Sequence, residues 1–151
     1  MLYPLIKGGI RTMYNHIVLA ADGSENAVRA AKETIKIASL NKQCLVEIVY
    51  VADFEKARTE VLHAGSTEVL KLERRKKIQN VELLLKESEI SYKVNILHGI
   101  PGPEIVKFAN DNHVDLLVIG SRGLNSLQEM VLGSVSHKVI KRVQCPALVV
   151  K

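Results

Sequence analysis

Residues 115–136 read DLLVIGSRGLNSLQEMVLGSVS, and the fold turns on this stretch. Asp115 to Ile119 (DLLVI) is apolar without alternation after its first residue, which suits a strand covered on both faces. Gly120-Ser121-Arg122-Gly123 follows as a loop, and nine residues later comes Gly133-Ser134. Ser134 is placed to cap a helix that carries Val135, Val139 and Val143 on one face. Pro146 stops that helix, and Ala147 to Val150 forms a further strand. Strand, helix and strand in this order make a parallel crossover unit.

The same alternation extends back toward the N-terminus. Gly99-Ile100-Pro101-Gly102 is a turn. Pro103 suits the first position of a helix that runs to about Asn112, with Ile105, Phe108, Ala109 and Asn112 on one face. Tyr92 to Leu97 alternates and predicts a half-exposed strand. A charged helix is expected from about Ser66 to Ser88, with an apolar stripe at Ile78, Val81 and Leu85. Its first half carries Lys71, Arg74, Arg75, Lys76 and Lys77, which suits a solvated face. Asp53 to Gly65 has no clear period and reads as a loop or a broken helix. Cys44 to Val51 (CLVEIVYV) is a strand. Ser24 caps the segment before it, where Ala27, Ala31, Ile35 and Ala38 recur at helical spacing to about Leu40, with Glu25 at the positive end of the helix. His16 to Ala21 is the first strand. Residues 1–12 do not join this pattern and are expected to be a flexible extension, or the product of a start placed too early, ahead of a domain at 13–151.

The predicted order is β-α-β-α-β-α-β-α-β. It defines an α/β domain: a five-stranded parallel sheet with helices on both faces, joined by right-handed crossovers. Ligands on such sheets bind outside the carboxyl ends of the strands. The loops after strands 1, 2 and 4 are therefore the ones that carry a site.

Composition narrows the function classes. The 151 residues suit one domain, and 47% hydrophobic with 25% charged residues is a globular balance that argues against disorder. No apolar run approaches the roughly 20 residues needed to span a bilayer, so no membrane role is expected. The N-terminus has no apolar core of a signal peptide, and the expected location is cytoplasmic. Two cysteines make no disulfide framework and fit no zinc spacing. Cys44 and Cys145 read as packing residues. The five histidines show no metal-ligand spacing. His137 stands apart because it lies close to the start of the last helix. A net charge of +5 permits an anionic partner, while the absence of Trp and 4% aromatic residues argue against nucleic acid.

The chemistry-bearing segments point to phosphate. Closely spaced glycines after a buried strand allow the backbone to approach a ligand. Gly133 and Ser134 open a helix, whose amides and dipole favour an anion. Arg122 adds a fork of donors. A plain glycine turn with an ordinary cap is the alternative, and the pairing of the two segments on the expected side of the sheet favours a phosphate cradle. Asp22, in the loop Asp22-Gly23-Ser24, is placed to meet a ribose hydroxyl, an adenine amine or a metal, or to help cap the first helix. Val51 ends strand 2, where its backbone can face a base. There is no GxxxxGK[ST] and no GxGxxG after strand 1. No nucleophile and base pair stands out, and no catalytic residue is assigned.

From about Met13 to Lys151 the chain resembles the universal stress protein family. Gly120, Gly123, Gly133 and Ser134 match the motif G-2x-G-9x-G-[ST] of its nucleotide-binding members. Ala21-Asp22-Gly23-Ser24 is similar to the family's start, and Cys145-Pro146-Ala147-Leu148-Val149-Val150 to its last strand. The resemblance implies strand order 3-2-1-4-5 and ATP, or AMP or ADP, across the ends of strands 1 and 4. It implies that Asp22, beside Ala21, contacts the nucleoside and that Val51 pairs with adenine through its backbone. Gly120, Gly123, Gly133 and Ser134 would hold ribose and phosphates, with Arg122 and Val135 beside them and Ser136 as a weaker contact. Mg2+ would accompany the phosphates. A homodimer through antiparallel pairing of Ala147 to Lys151 is implied as well. The expected function is an ATP-binding switch or sensor in a stress response, acting by ordering of the loop between Gly120 and Gly133. A slow ATPase at the same site and a nucleotide-independent interaction module are the alternatives.

Overall fold

The computed structural model describes residues 13–53, 67–122 and 132–151. Within them lie β1 (His16–Ala20), α1 (Glu25–Ala38), β2 (Leu45–Asp53), α2 (Thr67–Lys76), α3 (Gln79–Glu87), β3 (Ser91–Gly99), α4 (Pro101–Asp111), β4 (Leu116–Gly120), α5 (Ser134–Arg142) and β5 (Ala147–Val150). The five strands form one parallel sheet in the order β3-β2-β1-β4-β5.

The apolar runs lack alternation because both faces of the sheet are covered. Ile17 and Leu19 of β1 pack with Ile48 and the alanines of α1, while Val18 of the same strand packs with Val49, Ile105 and Val139 on the opposite side. The first core lies under α1 and α3, the second under α4 and α5. Alanines at 27, 30 and 31 are buried and let α1 sit close to the sheet. The outer strand β3 is largely half-exposed, as its alternating sequence predicts.

β2 runs through Asp53, two residues past its expected end at Val51, because Ala52 and Asp53 continue the ladder to β3. Three helical expectations also differ from the structure. The charged helix expected over 66–88 is two helices. Lys77 and Ile78 donate their amides to the carbonyls of Arg74 and Arg75, three residues back, which tightens the chain and breaks the α-helical ladder. Ile78 is then fully buried at the head of the stripe with Val81 and Leu85. The break also turns the Lys77 carbonyl onto Gly23. That glycine has φ +84, and a Cβ on it would lie 2.9 Å from the Lys77 oxygen. Second, α4 begins at Pro101, not Pro103, because Pro101 already occupies the first helical position after Ile100. Third, α5 ends at Arg142, ahead of Pro146. Pro146 instead leads into β5, where its carbonyl accepts the Leu117 amide.

Candidate functional site

A cavity of about 420 Å³ opens at the carboxyl ends of β1, β2 and β4. Its walls include Ala21, Asp22, Val51, Gly120 and Arg122. Gly133, Ser134, Val135 and Ser136 border it from the start of α5. The sheet thus brings together every expected site residue except Gly123, which lies outside the described residues, as do residues 1–12, 54–66 and the rest of 123–131.

Short-range hydrogen bonds fix the loop after β1. The Ala21 amide donates to the Val49 carbonyl at 3.0 Å, continuing the ladder to β2 for one residue. Asp22 Oδ1 accepts the Ser24 amide at 3.0 Å, and Ser24 Oγ accepts the Ala27 amide at 3.2 Å. Ser24 is therefore the cap of α1, and Asp22 closes the turn ahead of it with its carboxylate at the cavity wall. Val49 faces β1 with its backbone polar groups, and strand parity turns those of Val51 the same way. At Val51, β2 has run past the last residue paired with β1, and Val51 lines the cavity.

The loop after β4 is held from both sides. Gly120 has no positive φ. A Cβ on it would lie 2.8 Å from Cβ of Asn26 and 3.1 Å from its carbonyl carbon, so the glycine makes room for α1. Its bare backbone also borders the cavity. Asn26 Nδ2 donates to the Arg122 carbonyl at 2.9 Å, and the Asn26 side-chain oxygen accepts from the Arg29 guanidinium. The Ser121 amide donates to Val150, and its carbonyl accepts the Gly133 amide, each at 2.7 Å. Ser136 is buried, and its hydroxyl donates to the Gly120 carbonyl at 2.7 Å. Ser136 thus clamps the loop end.

The start of α5 differs from the expectation in one respect. The N-cap is Gly133, in an extended conformation and without a side-chain cap bond, and Ser134 is the first helical residue. His137 is the first amide to close a helical bond, on the Gly133 carbonyl at 3.0 Å. The amides of Ser134, Val135 and Ser136 precede it at the positive end of the helix, beside the cavity. Arg122 stands at the same end of the site.

Several cavity residues were not apparent from the sequence. Lys77 approaches from the α2–α3 break, its ammonium 5.8 Å from the centre of the Tyr50 ring. Asp53, Lys138 and the first turn of α4 complete the wall. The Pro101-Gly102 pair at the end of β3 was the available signal for α4, since that loop emerges on the same edge of the sheet as the other three.

Among the described residues no group of three His, Cys, Asp or Glu side chains is placed to hold a metal ion. Burial pushes the Cys44 thiol up to about 11, with the Asp115 charge adding to it, and raises Cys145 as well. Both thiols are packing groups. No helix among the described residues is long and apolar enough to cross a membrane.

Comparison with known proteins places the chain. The model of the universal stress protein family matches residues 13–151. Over 154 residues the chain is 35% identical to the universal stress protein MJ0531 of Methanocaldococcus jannaschii, covering 100% of this chain and 89% of that one. The solved structure of protein MJ0577 from the same organism superposes with a TM-score of 0.80 at 35% identity, over 93% of this chain and 97% of the other. A universal stress protein from Archaeoglobus fulgidus, solved in complex with dAMP, shares the fold with a TM-score of 0.68 at 20% identity, over 93% and 100% of the two chains. The chain belongs to the universal stress protein family.

Proposed function

We propose that this protein binds an adenine nucleotide in the cavity at the carboxyl ends of β1, β2 and β4, with ATP as ligand, and serves as a nucleotide-dependent switch in a cytoplasmic stress response. The observation that carries this reading is the division of the cavity into two unlike ends. At one end, the uncapped start of α5 and Arg122 suit a phosphate group. At the other, the backbone of Val51 offers a donor and an acceptor to the edge of a base. Asp22 lies between them and suits a ribose hydroxyl. The volume falls within the roughly 300–1,000 Å³ range of small-molecule sites. A distant relative with this fold holds dAMP, which agrees with the assignment.

Mg2+ fits as a companion of the phosphates. That ion takes one or two carboxylates plus phosphate oxygens and water, not an all-protein cage. Asp22 and Asp53 are the carboxylates at the cavity wall. The ion would offset phosphate charge.

β5 lies at the edge of the described sheet, paired with β4. Parity turns the backbone groups of Ala147 and Val149 outward, which supports a homodimer formed by antiparallel pairing of residues 147–151. Val149→Pro removes an outward amide without touching the ladder to β4. It is expected to yield a folded monomer by light scattering, and an unchanged dimer would refute this interface.

Calorimetric titration with Mg-ATP tests the nucleotide reading, after a denatured sample has been checked for co-purified nucleotide. Saturable binding is expected, weakened about tenfold or more in Arg122→Ala and in Asp22→Ala. Nucleotide-free protein that stays folded and takes up no ATP would overturn the reading.

A further inference from the structure

We propose that Lys138 sets the preference of the cavity for nucleoside polyphosphates over monophosphates, by placing its ammonium group on the outer phosphates. The inference rests on the nucleotide reading above and adds to it a residue outside the glycine motif. Lys138 borders the cavity from the second turn of α5. Helical side chains lean toward the helix N-terminus, so a long side chain at this position covers the turn that carries the amides of Ser134 and Val135.

A second observation fixes the path of its stem. Lys138 crosses the first turn of α4 at Gly102. A Cβ at Gly102 would lie 3.3 Å from Lys138 Cδ and 3.4 Å from its Cβ. The bare glycine is the slot along which the methylenes run, and this packing limits the rotamers open to the ammonium group. Lys138 enters none of the ion pairs among the described residues. The helix start and Arg122 suffice for one phosphate. The added cation on the α4 side gives a second anchoring position, which only a longer phosphate chain reaches.

Titration of ATP, ADP and AMP into the wild type, Lys138→Met and Lys138→Arg, all with Mg2+, tests this. Methionine keeps a stem over Gly102 and removes the charge. ATP is expected to bind Lys138→Met about tenfold more weakly, with AMP within about twofold of wild type and Lys138→Arg restoring most of the ATP affinity. Unchanged ATP affinity, or an equal loss for ATP and AMP, would overturn the role of Lys138 while AMP binding to the wild type leaves the nucleotide site standing. A wild type that binds none of the three would overturn both readings together.

Discussion

At Gly120 the missing side chain makes room for helix α1, with Asn26 at 2.8 Å from where a Cβ would stand. Gly120→Ala is therefore expected to destabilise the nucleotide-free protein by about 1–3 kcal/mol, as overpacking does. Urea unfolding without ligand measures it, and an unchanged midpoint would contradict this packing against α1. Gly23 combines φ +84 with the Lys77 carbonyl at 2.9 Å from a Cβ. A β-branched residue is strained there on both counts, so Gly23→Val is expected to cost about 2 kcal/mol or more in the same assay. The Cys44 thiol, pushed up to about 11, keeps its proton in the folded state at pH values where the unfolded chain loses it. Its contribution to stability is complete below about pH 9 and falls away as pH rises toward 11. Reaction with a thiol reagent at pH 8 should be slow in the native protein and fast in denaturant, and fast native labelling of Cys44 would contradict its burial. The sequence displayed these glycines but not their neighbours. It showed Ser134 as a cap because serine is a common cap, whereas the extended conformation that makes Gly133 the cap arises from its amide bond to Ser121.

The strands were legible at the scale of the element because burial on both faces leaves runs such as Ile17 to Ala20 and Leu116 to Ile119 with no polar residue to break them. The stripe Ile78, Val81 and Leu85 was equally plain. Its break at Lys77 was not, since helical periodicity runs on through that point and no proline or glycine marks it. Tertiary contact decides the break: Ile78 is fully buried, and the Lys77 carbonyl packs on Gly23. Ile78→Ala is expected to cost about 2–5 kcal/mol, whereas Leu72→Ala on the exposed side of α2 should stay within about 0.5 kcal/mol. Comparable losses at the two positions would show that α2 buries a face the described residues leave open. Because Pro101 and not Pro103 opens α4, Gly102 falls in its first turn beside Lys138, a contact that spacing alone does not show.

Across the whole molecule, the order β3-β2-β1-β4-β5 gathers loops that are far apart in the chain onto one edge of the sheet. Topology therefore supplies what spacing alone does not, the meeting of Asp22, Val51 and the start of α5 around one cavity. Ligand binding to the folded state alone adds stability by mass action, about 2.7 kcal/mol at a hundred times Kd. Mg-ATP is expected to raise the melting temperature of the wild type and to raise that of Arg122→Ala less. The most direct measurement is a backbone amide NMR titration with Mg-ATP, because it reads position as well as binding. Saturating shifts are expected at Val51, Ser134 and Val135, with the face of α2 that carries Lys71 and Arg75 unmoved. Shifts confined to α2, with the cavity amides still, would contradict nucleotide binding in the cavity.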